Sequence, residues 1–374
     1  MLNIIKSSSI CYLFSAFLFL SCNSKIEVPD EKEEWPLRHN VYVAGTEYLT
    51  EGIVARLWKN GKIETLEEGI SKSTSESVLT SEAYAVFVSG IDVYVAGSEF
   101  IKNGSEVKRI ARLWKNGKIQ PLTIGDFFSE AFSVFVSGED VYVLGRESTH
   151  PNPESGLWVF KYWKNGESII FAQGGSKENY KSIFVSDDDV YIVGTVTKYS
   201  GLNFPFYQAK LWKNGTEENL ISETTDSWTS SVFVSGKDVY VVGKIGDYPD
   251  KQTSVATLWK NGKIEKLSNG TNPASANSIY VSDNDMYIAG EDAGAKLWKN
   301  CIVQDVDKDA NTFLSVFVLN NDVYTLGYVS ICEPISISLS ICHLQATLWR
   351  NGKKLSLETV DKNNASIAYS VFVK

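Results

Sequence analysis

Seven loop carboxylates, Asp126, Glu130, Glu178, Glu223, Asp226, Asp247 and Asp250, supply the residue type that paired acid and base chemistry needs. Two of them facing each other across a cleft would make a glycan hydrolase or lyase, one protonated as acid and the other ionised as base or nucleophile. Acidic loops are also common on anionic chains, so the spacing picks out no pair. The three histidines, His39, His150 and His343, stand far apart, and no Ser-His-Asp set, metal-ligand cluster or phosphate loop emerges. No cofactor is implied.

Asp305, Asp307 and Asp309 in DVDKDAN have the D-x-D-x-D spacing with which a calcium loop starts. Such a loop wants Gly in sixth place and a bidentate Glu in twelfth, where this chain has Ala310 and Val316. A solvated acidic loop is the simpler expectation, with calcium as its alternative. A second candidate chemistry is recognition by ring faces. Phe127, Phe128, Trp158, Phe160, Tyr180, Tyr199, Phe204, Phe206, Tyr207, Trp228 and Tyr248 lie outside the repeated phrases described below. Of these, Trp158, Phe160, Tyr180, Phe204, Phe206, Tyr207 and Trp228 are the candidate ligand-binding residues for a sugar or peptide, unless they fold back to cover their own loops.

The elements that must position these side chains are written as a repeat. Three phrases recur in fixed order: SVFVSGKD (from Ser231), VYVVG (from Val239) and ATLWKNG (from Ala256). The second phrase starts at Val41, Val93, Val141, Val190, Val239, Met286 and Val323, in steps of 52, 48, 49, 49, 47 and 37 residues. That period is one of propeller blades. Each phrase is short, β-branched and aromatic, and bounded by Gly, Asn or Asp, which predicts strands. Asn-Gly in WKNG suits a type I′ hairpin turn. One unit is therefore a four-stranded antiparallel meander, and seven make an all-β, seven-bladed β-propeller. Pairing of the C-terminal strand (YSVFVK) with the N-terminal blade (NVYVAG) would close the ring and leave no open edge.

Residues needed once per blade read as scaffold. Trp58, Trp114, Trp163, Trp212, Trp259, Trp298 and Trp349 occupy one repeat position and are expected to pack between sheets. Asp92, Asp140, Asp189, Asp238, Asp285 and Asp322 are expected to cap turns. Function should lie where blades differ, on the face carrying the variable loops. If the first strand is innermost, the residue before each, Tyr84, Phe132, Lys181, Ser230, Asn277, Leu314 and Tyr369, should ring the channel mouth.

Over residues 39–374 these phrases resemble the β-propeller superfamily, and especially the LWKNG-repeat lipoproteins of Bacteroidota. The Trp-Asp pair of WD40 blades, the Gly-Gly of kelch blades and the sialidase box are absent, so none of those activities is implied. The N-terminus supplies an address: Lys6, then ICYLFSAFLFL (10–20), then LSC, reads as an export signal too short to span a bilayer. Its end resembles a bacterial lipobox, with Phe19 in place of the usual aliphatic residue. The resemblance implies a signal peptide over 1–21, lipidation of Cys22, a polar tether over 22–38 and, with Asn23 after the lipid site, sorting to the outer membrane, facing the periplasm or the cell surface. In an oxidising envelope Cys332 and Cys342, flanking EPISISLSI, are favoured as a disulfide over free thiols. Cys301 replaces a turn glycine.

The formal charge of -9 and the presence of only six arginines argue against a nucleic-acid partner. The expectation is a non-catalytic, membrane-anchored binding lipoprotein, monomeric, with an envelope protein or an extracellular glycan as partner. A glycan-active enzyme with carboxylates at the channel mouth, and a structural spacer or adhesin, are the alternatives.

Overall fold

The computed structural model describes Trp35 and residues 38–374, apart from 51, 69–75, 104–105, 123–126, 155, 176–177, 200–204, 222–225, 247–252 and 337–338. All regular structure among the described residues is β-strand. The export signal, Cys22 and the tether up to 34 lie outside the described residues, as do Phe204, Asp126, Glu223, Asp247, Tyr248 and Asp250.

Five four-stranded antiparallel sheets and one eight-stranded sheet make up the fold. The larger sheet contains two four-stranded runs. One comprises Ala365–Val373, Val41–Leu49, Gly52–Lys59 and Lys62–Glu64; the other comprises Glu76–Ser89, Asp92–Asn103, Glu106–Lys115 and Lys118–Gln120. A single parallel pair, Ile53 with Thr80, joins the two runs. The C-terminal strand pairs with Val41–Leu49 from Val373 opposite Val41 to Ala365 opposite Tyr48.

The LWKNG phrase explains the outer hairpin of each sheet. Asn261 and Gly262 take φ of 50° and 75°, the left-handed pair a type I′ turn requires. The Asn261 side chain accepts a hydrogen bond from the Val239 N–H (2.8 Å) and donates one to Asp238 (2.7 Å). Lys260 meets the other oxygen of Asp238 at 3.0 Å and sits 4.9 Å from the Tyr240 ring centroid. This latch ties the tip of the third strand to the start of the second. It recurs with Lys115, Lys164, Lys213 and Lys299 on Asp92, Asp140, Asp189 and Asp285, and with Arg350 on Asp322. The repeated aspartates are thus structural. Cys301, in the place of the turn glycine, keeps the left-handed conformation at φ 65°, and burial pushes its thiol up to about 12.

Between sheets, all seven repeat tryptophans are at most 2 % exposed. Three of their indole N–H groups reach carbonyls outside their own sheet's hairpin: Trp58 donates to that of Glu358, Trp114 to that of Glu67 and Trp298 to that of Leu267. The third residue of each SVFV phrase forms a second repeated contact. Phe87, Phe135, Phe184, Phe233, Tyr280, Phe317 and Phe372 touch in succession, with centroids 4.6 to 5.1 Å apart, and Phe372 returns to Phe87 at 4.7 Å. First strands of successive sheets therefore face one another around this cycle.

Every first strand runs further back than its repeated phrase, and each carries an irregularity at the same place. Pairing with the neighbouring strand skips one residue between Ala83 and Ala85, Ala131 and Ser133, Tyr180 and Ser182, Thr229 and Ser231, Ala276 and Ser278, Phe313 and Ser315, and Ala368 and Ser370. The glycine ending the VYVVG phrase sits opposite the skip. A Cβ on Gly97 or Gly243 would lie 1.9 Å from the carbonyl oxygen of Glu82 or Trp228, so only glycine allows the two backbones to approach this closely.

Candidate functional site

A bulge leaves one residue unpaired and re-aims its side chain. The seven residues skipped are Tyr84, Phe132, Lys181, Ser230, Asn277, Leu314 and Tyr369, and all seven line one open cavity of about 500 Å³. They are the residues expected to ring the channel mouth. Their place in the chain differs from expectation, because they lie within the first strands at the bulges rather than before them. Each four-stranded unit thus contributes its skipped residue to the lumen, and the chemistry of that side chain is free to differ while the glycine and the flanking strand stay constant.

The lumen is electrostatically lopsided. On one side Glu130, only 4 % exposed, lies between two guanidinium groups, with Arg109 on one carboxylate oxygen and Arg146 on the other. Arg109 also contacts Glu82 at 2.5 Å and donates to the Tyr84 hydroxyl, which in turn donates to Glu82. Burial holds the Tyr84 phenol well above its ordinary pKa, so the hydroxyl keeps the proton this chain of bonds requires. Arg146 lies over the Trp158 ring, 4.2 Å from its centroid.

Lys181 projects into this lumen, accessible to solvent yet flanked by protein. Desolvation, with the Arg146 charge added, lowers its pKa, and Glu130 opposes the shift. Glu178 lines the same cavity, and burial raises its pKa while the Lys198 charge opposes. The opposite side of the lumen is uncharged: Ser230, Asn277, Leu314 and Tyr369. Asn277 is braced there by donating to the Phe313 carbonyl at 2.9 Å and accepting from Ser275.

A side cleft of about 300 Å³ shares Asn179, Lys181, Ser230 and Asn277 with the lumen and extends to Tyr207, Trp228 and Lys244. Tyr207 and Trp228 are half-buried and stacked, with centroids 5.4 Å apart and planes inclined by 32°. The Lys244 ammonium sits 5.2 Å from the Trp228 centroid.

The other aromatic candidates separate by burial. Trp158, Phe160 and Tyr180 are 4 %, 0 % and 1 % exposed and belong to one hydrophobic cluster with Leu144 and Trp212, so their rings are not open to a ligand. The physical reason is that the third strand starts at Trp158 and the first at Asn179, which turns what reads as loop into core. Phe206 is half-buried at the far end of its strand. Asp226 is buried, with one oxygen accepting from the Tyr207 N–H.

The acidic triplet has a structural employment: Asp307 accepts from the Trp349 indole at 2.8 Å and pairs with Lys354, which Asp309 also contacts at 3.3 Å, while Asp305 stands apart. Cys332 and Cys342 face each other in the longest hairpin and are joined as a disulfide. Arg109, Arg146, Asn179 and Lys244 enter the site without having been singled out. The available signal was arginine scarcity, since only Arg38, Arg109 and Arg146 fall outside the repeat and two of those three line the lumen.

No protein-family model matches the chain, and no curated protein does. Among solved structures it is similar to a Pyrococcus horikoshii acylaminoacyl peptidase, at 12 % identity over 75 % of this chain and 52 % of that one, TM-score 0.46. It is also similar to the β-propeller domain of the Trilobed protease from Pyrococcus furiosus, at 12 % identity over 75 % and 99 %, TM-score 0.37. A third is a protein of unknown function from Dyadobacter fermentans, at 10 % identity over 72 % and 94 %, TM-score 0.42. The chain spans about half the length of the acylaminoacyl peptidase. Likeness at this level says nothing of activity, and the all-β, propeller-like architecture is argued from the chain's own strand pairing.

Proposed function

We propose that the chain is a non-catalytic binding lipoprotein, a seven-bladed β-propeller anchored through Cys22 to a bacterial outer membrane, which presents its lumen mouth to an envelope protein or an extracellular glycan. The observation that carries the binding role is the contrast at the bulges. Turn, tryptophan and glycine repeat from sheet to sheet, whereas the lumen residue runs through Tyr, Phe, Lys, Ser, Asn, Leu and Tyr around a single cavity. A rigid ring with one variable position per unit is suited to a specific pocket. The ring form is supported by the aromatic cycle closing at Phe372 and Phe87 and by the pairing of the two terminal strands. The LWKNG resemblance supports the address. Closure pairs the terminal strands and leaves mainly short outer strands as edges, and we take the chain as a monomer.

The test is cross-linked affinity purification of the lipidated chain from its own cells, beside Ser230→Trp and Leu314→Trp variants that fill the lumen. A protein or glycan recovered with the native chain and lost with both variants supports a lumen-binding role. Equal recovery with all three removes the lumen from the reading and favours the spacer.

One observation favours an enzyme as second reading. Glu178, whose carboxyl pKa is raised by burial, sits in the same cavity as the ionic cluster. Glu130 is a poor partner for it, because both of its oxygens are committed to arginines. Turnover of any glycan that disappears in Glu178→Gln with binding retained would establish the hydrolase or lyase.

A further inference from the structure

The side cleft has a charge pattern opposite to that of the chain. The sequence holds 45 Asp and Glu against 36 Lys and Arg, yet the cleft is lined by two lysines and no carboxylate. Lys181 enters it from the first strand Asn179–Ser186 and Lys244 from the strand Asp238–Gly246 of the next sheet. Among the described residues neither ammonium pairs with a carboxylate, whereas Arg109 beside them pairs with Glu82 and Glu130, and Arg146 with Glu130. Lys181 is solvent-exposed and Lys244 half-buried, and two ammonium groups lining one cleft without a carboxylate in its wall attract an arriving anion.

The cleft's remaining surface narrows the class of anion. Trp228 and Tyr207 line the cleft half-buried and tilted by 32° to each other, and an aromatic face attracts the polarised C–H face of a sugar. Asn179 and Ser230 on the shared wall with the lumen supply hydrogen-bonding groups for hydroxyls. The buried Thr229 hydroxyl beside them lacks a partner among the described residues. A volume of about 300 Å³ holds one or two sugar rings, and the open lumen alongside lets a longer chain continue.

We propose that the side cleft binds an acidic saccharide, its ring against Trp228 and its carboxylate or sulfate met by Lys181 and Lys244. This names the ligand class of the binding role above and rests on it. An acidic peptide would satisfy the lysines but would leave the ring face and the hydroxyl-binding wall unused.

The experiment is isothermal titration of the full-length chain in detergent with trigalacturonic acid, its neutral methyl ester, a sulfated chondroitin disaccharide and hexaglutamate. We expect the galacturonate or the sulfated chondroitin disaccharide to bind at least tenfold tighter than the methyl ester and than hexaglutamate. The Lys181→Met, Lys244→Met double variant should lose that preference at least tenfold without a fall in its melting temperature, because both side chains line solvent-filled space. Trp228→Ala should weaken charged and neutral sugars alike. The proposal is overturned if the ester binds as well as the acid, if the double lysine variant binds as the native chain does, if hexaglutamate competes equally, or if no acidic saccharide binds at millimolar concentration. In that last case, loss of a cellular partner in Ser230→Trp would leave the binding role standing and remove only its assignment to acidic sugars.

Discussion

Phe372 packs against Phe87 with ring centroids 4.7 Å apart, joining the last strand of the chain to the first strand of the run that starts at Glu76. Phe372 also touches Phe317 at 4.8 Å, so it has the same two neighbours in the cycle as any internal member. If the terminal contact holds the cycle together, Phe372→Ala should cost as much as Phe233→Ala, both half-buried and so below the roughly 3–5 kcal/mol of a fully buried aromatic. Urea unfolding of the two variants compares them. A cost near zero for Phe372 beside a full cost for Phe233 would mean that the ends merely lie alongside.

The turn latches predict an acid limb of stability. Hydrogen bonds from Lys115 to Asp92, Lys164 to Asp140, Lys213 to Asp189 and Lys299 to Asp285, and from Asn261 to Asp238, lower these carboxyl pKa values below the ordinary aspartate value. A folded pKa below the unfolded one adds stability above the unfolded pKa, and that stability is lost as pH falls through the folded value. A variant with these five aspartates changed to asparagine should melt lower than the native chain at neutral pH, and the two should converge as pH falls through the lowered carboxyl pKa values. Parallel melting curves across the acid range would show that the latches order the turns without stabilising them.

Much of this architecture was legible because the chain repeats it. Trp259 and Asp238 could be assigned to scaffold by having six or five counterparts each, and the lumen position could be named by its place before SVFV. The bulge that turns that position inward was not legible, since it arises from the close approach of Gly243 to Trp228 in the adjacent strand. Trp158, Phe160 and Tyr180 misled for a related reason. Non-repeated segments carry no phase, so nothing local distinguishes a loop aromatic from one on an extension of a strand. The Arg109–Glu130–Arg146 cluster joins three separate sheet strands, and no spacing in the sequence reports such a meeting.

That cluster sets stability against affinity. Glu130 neutralises two arginines in a poorly hydrated wall of the lumen, and removing one partner of a buried ionic group costs about 3–5 kcal/mol. Glu130→Gln should therefore lower the melting temperature while making the lumen more cationic, and the acidic saccharide of the side cleft should bind several-fold tighter. Calorimetry at low ionic strength, where the charge effect is least screened, measures both. Weaker binding together with lower stability would show that the carboxylate shapes the site instead of offsetting its charge.

The charge on Lys181 should impose its own pH dependence. Desolvation first, then the Arg146 charge, lowers the ammonium pKa, with Glu130 opposing; Arg109 and Glu178 share the lumen, and Lys244 faces it across the cleft. An anion needs the protonated form, so affinity should fall as pH rises through this lowered pKa, before an ordinary lysine near 10.4 would titrate. Folding stability should move the other way, because the unfolded chain holds the proton to higher pH and stability rises wherever it binds more protons. Lys181→Arg keeps its charge throughout and should flatten the affinity profile without abolishing binding, while Lys181→Met should be flat and weak. If the native and Lys181→Arg profiles coincide over the alkaline range, Lys181 does not face the bound anion and Lys244 alone meets it.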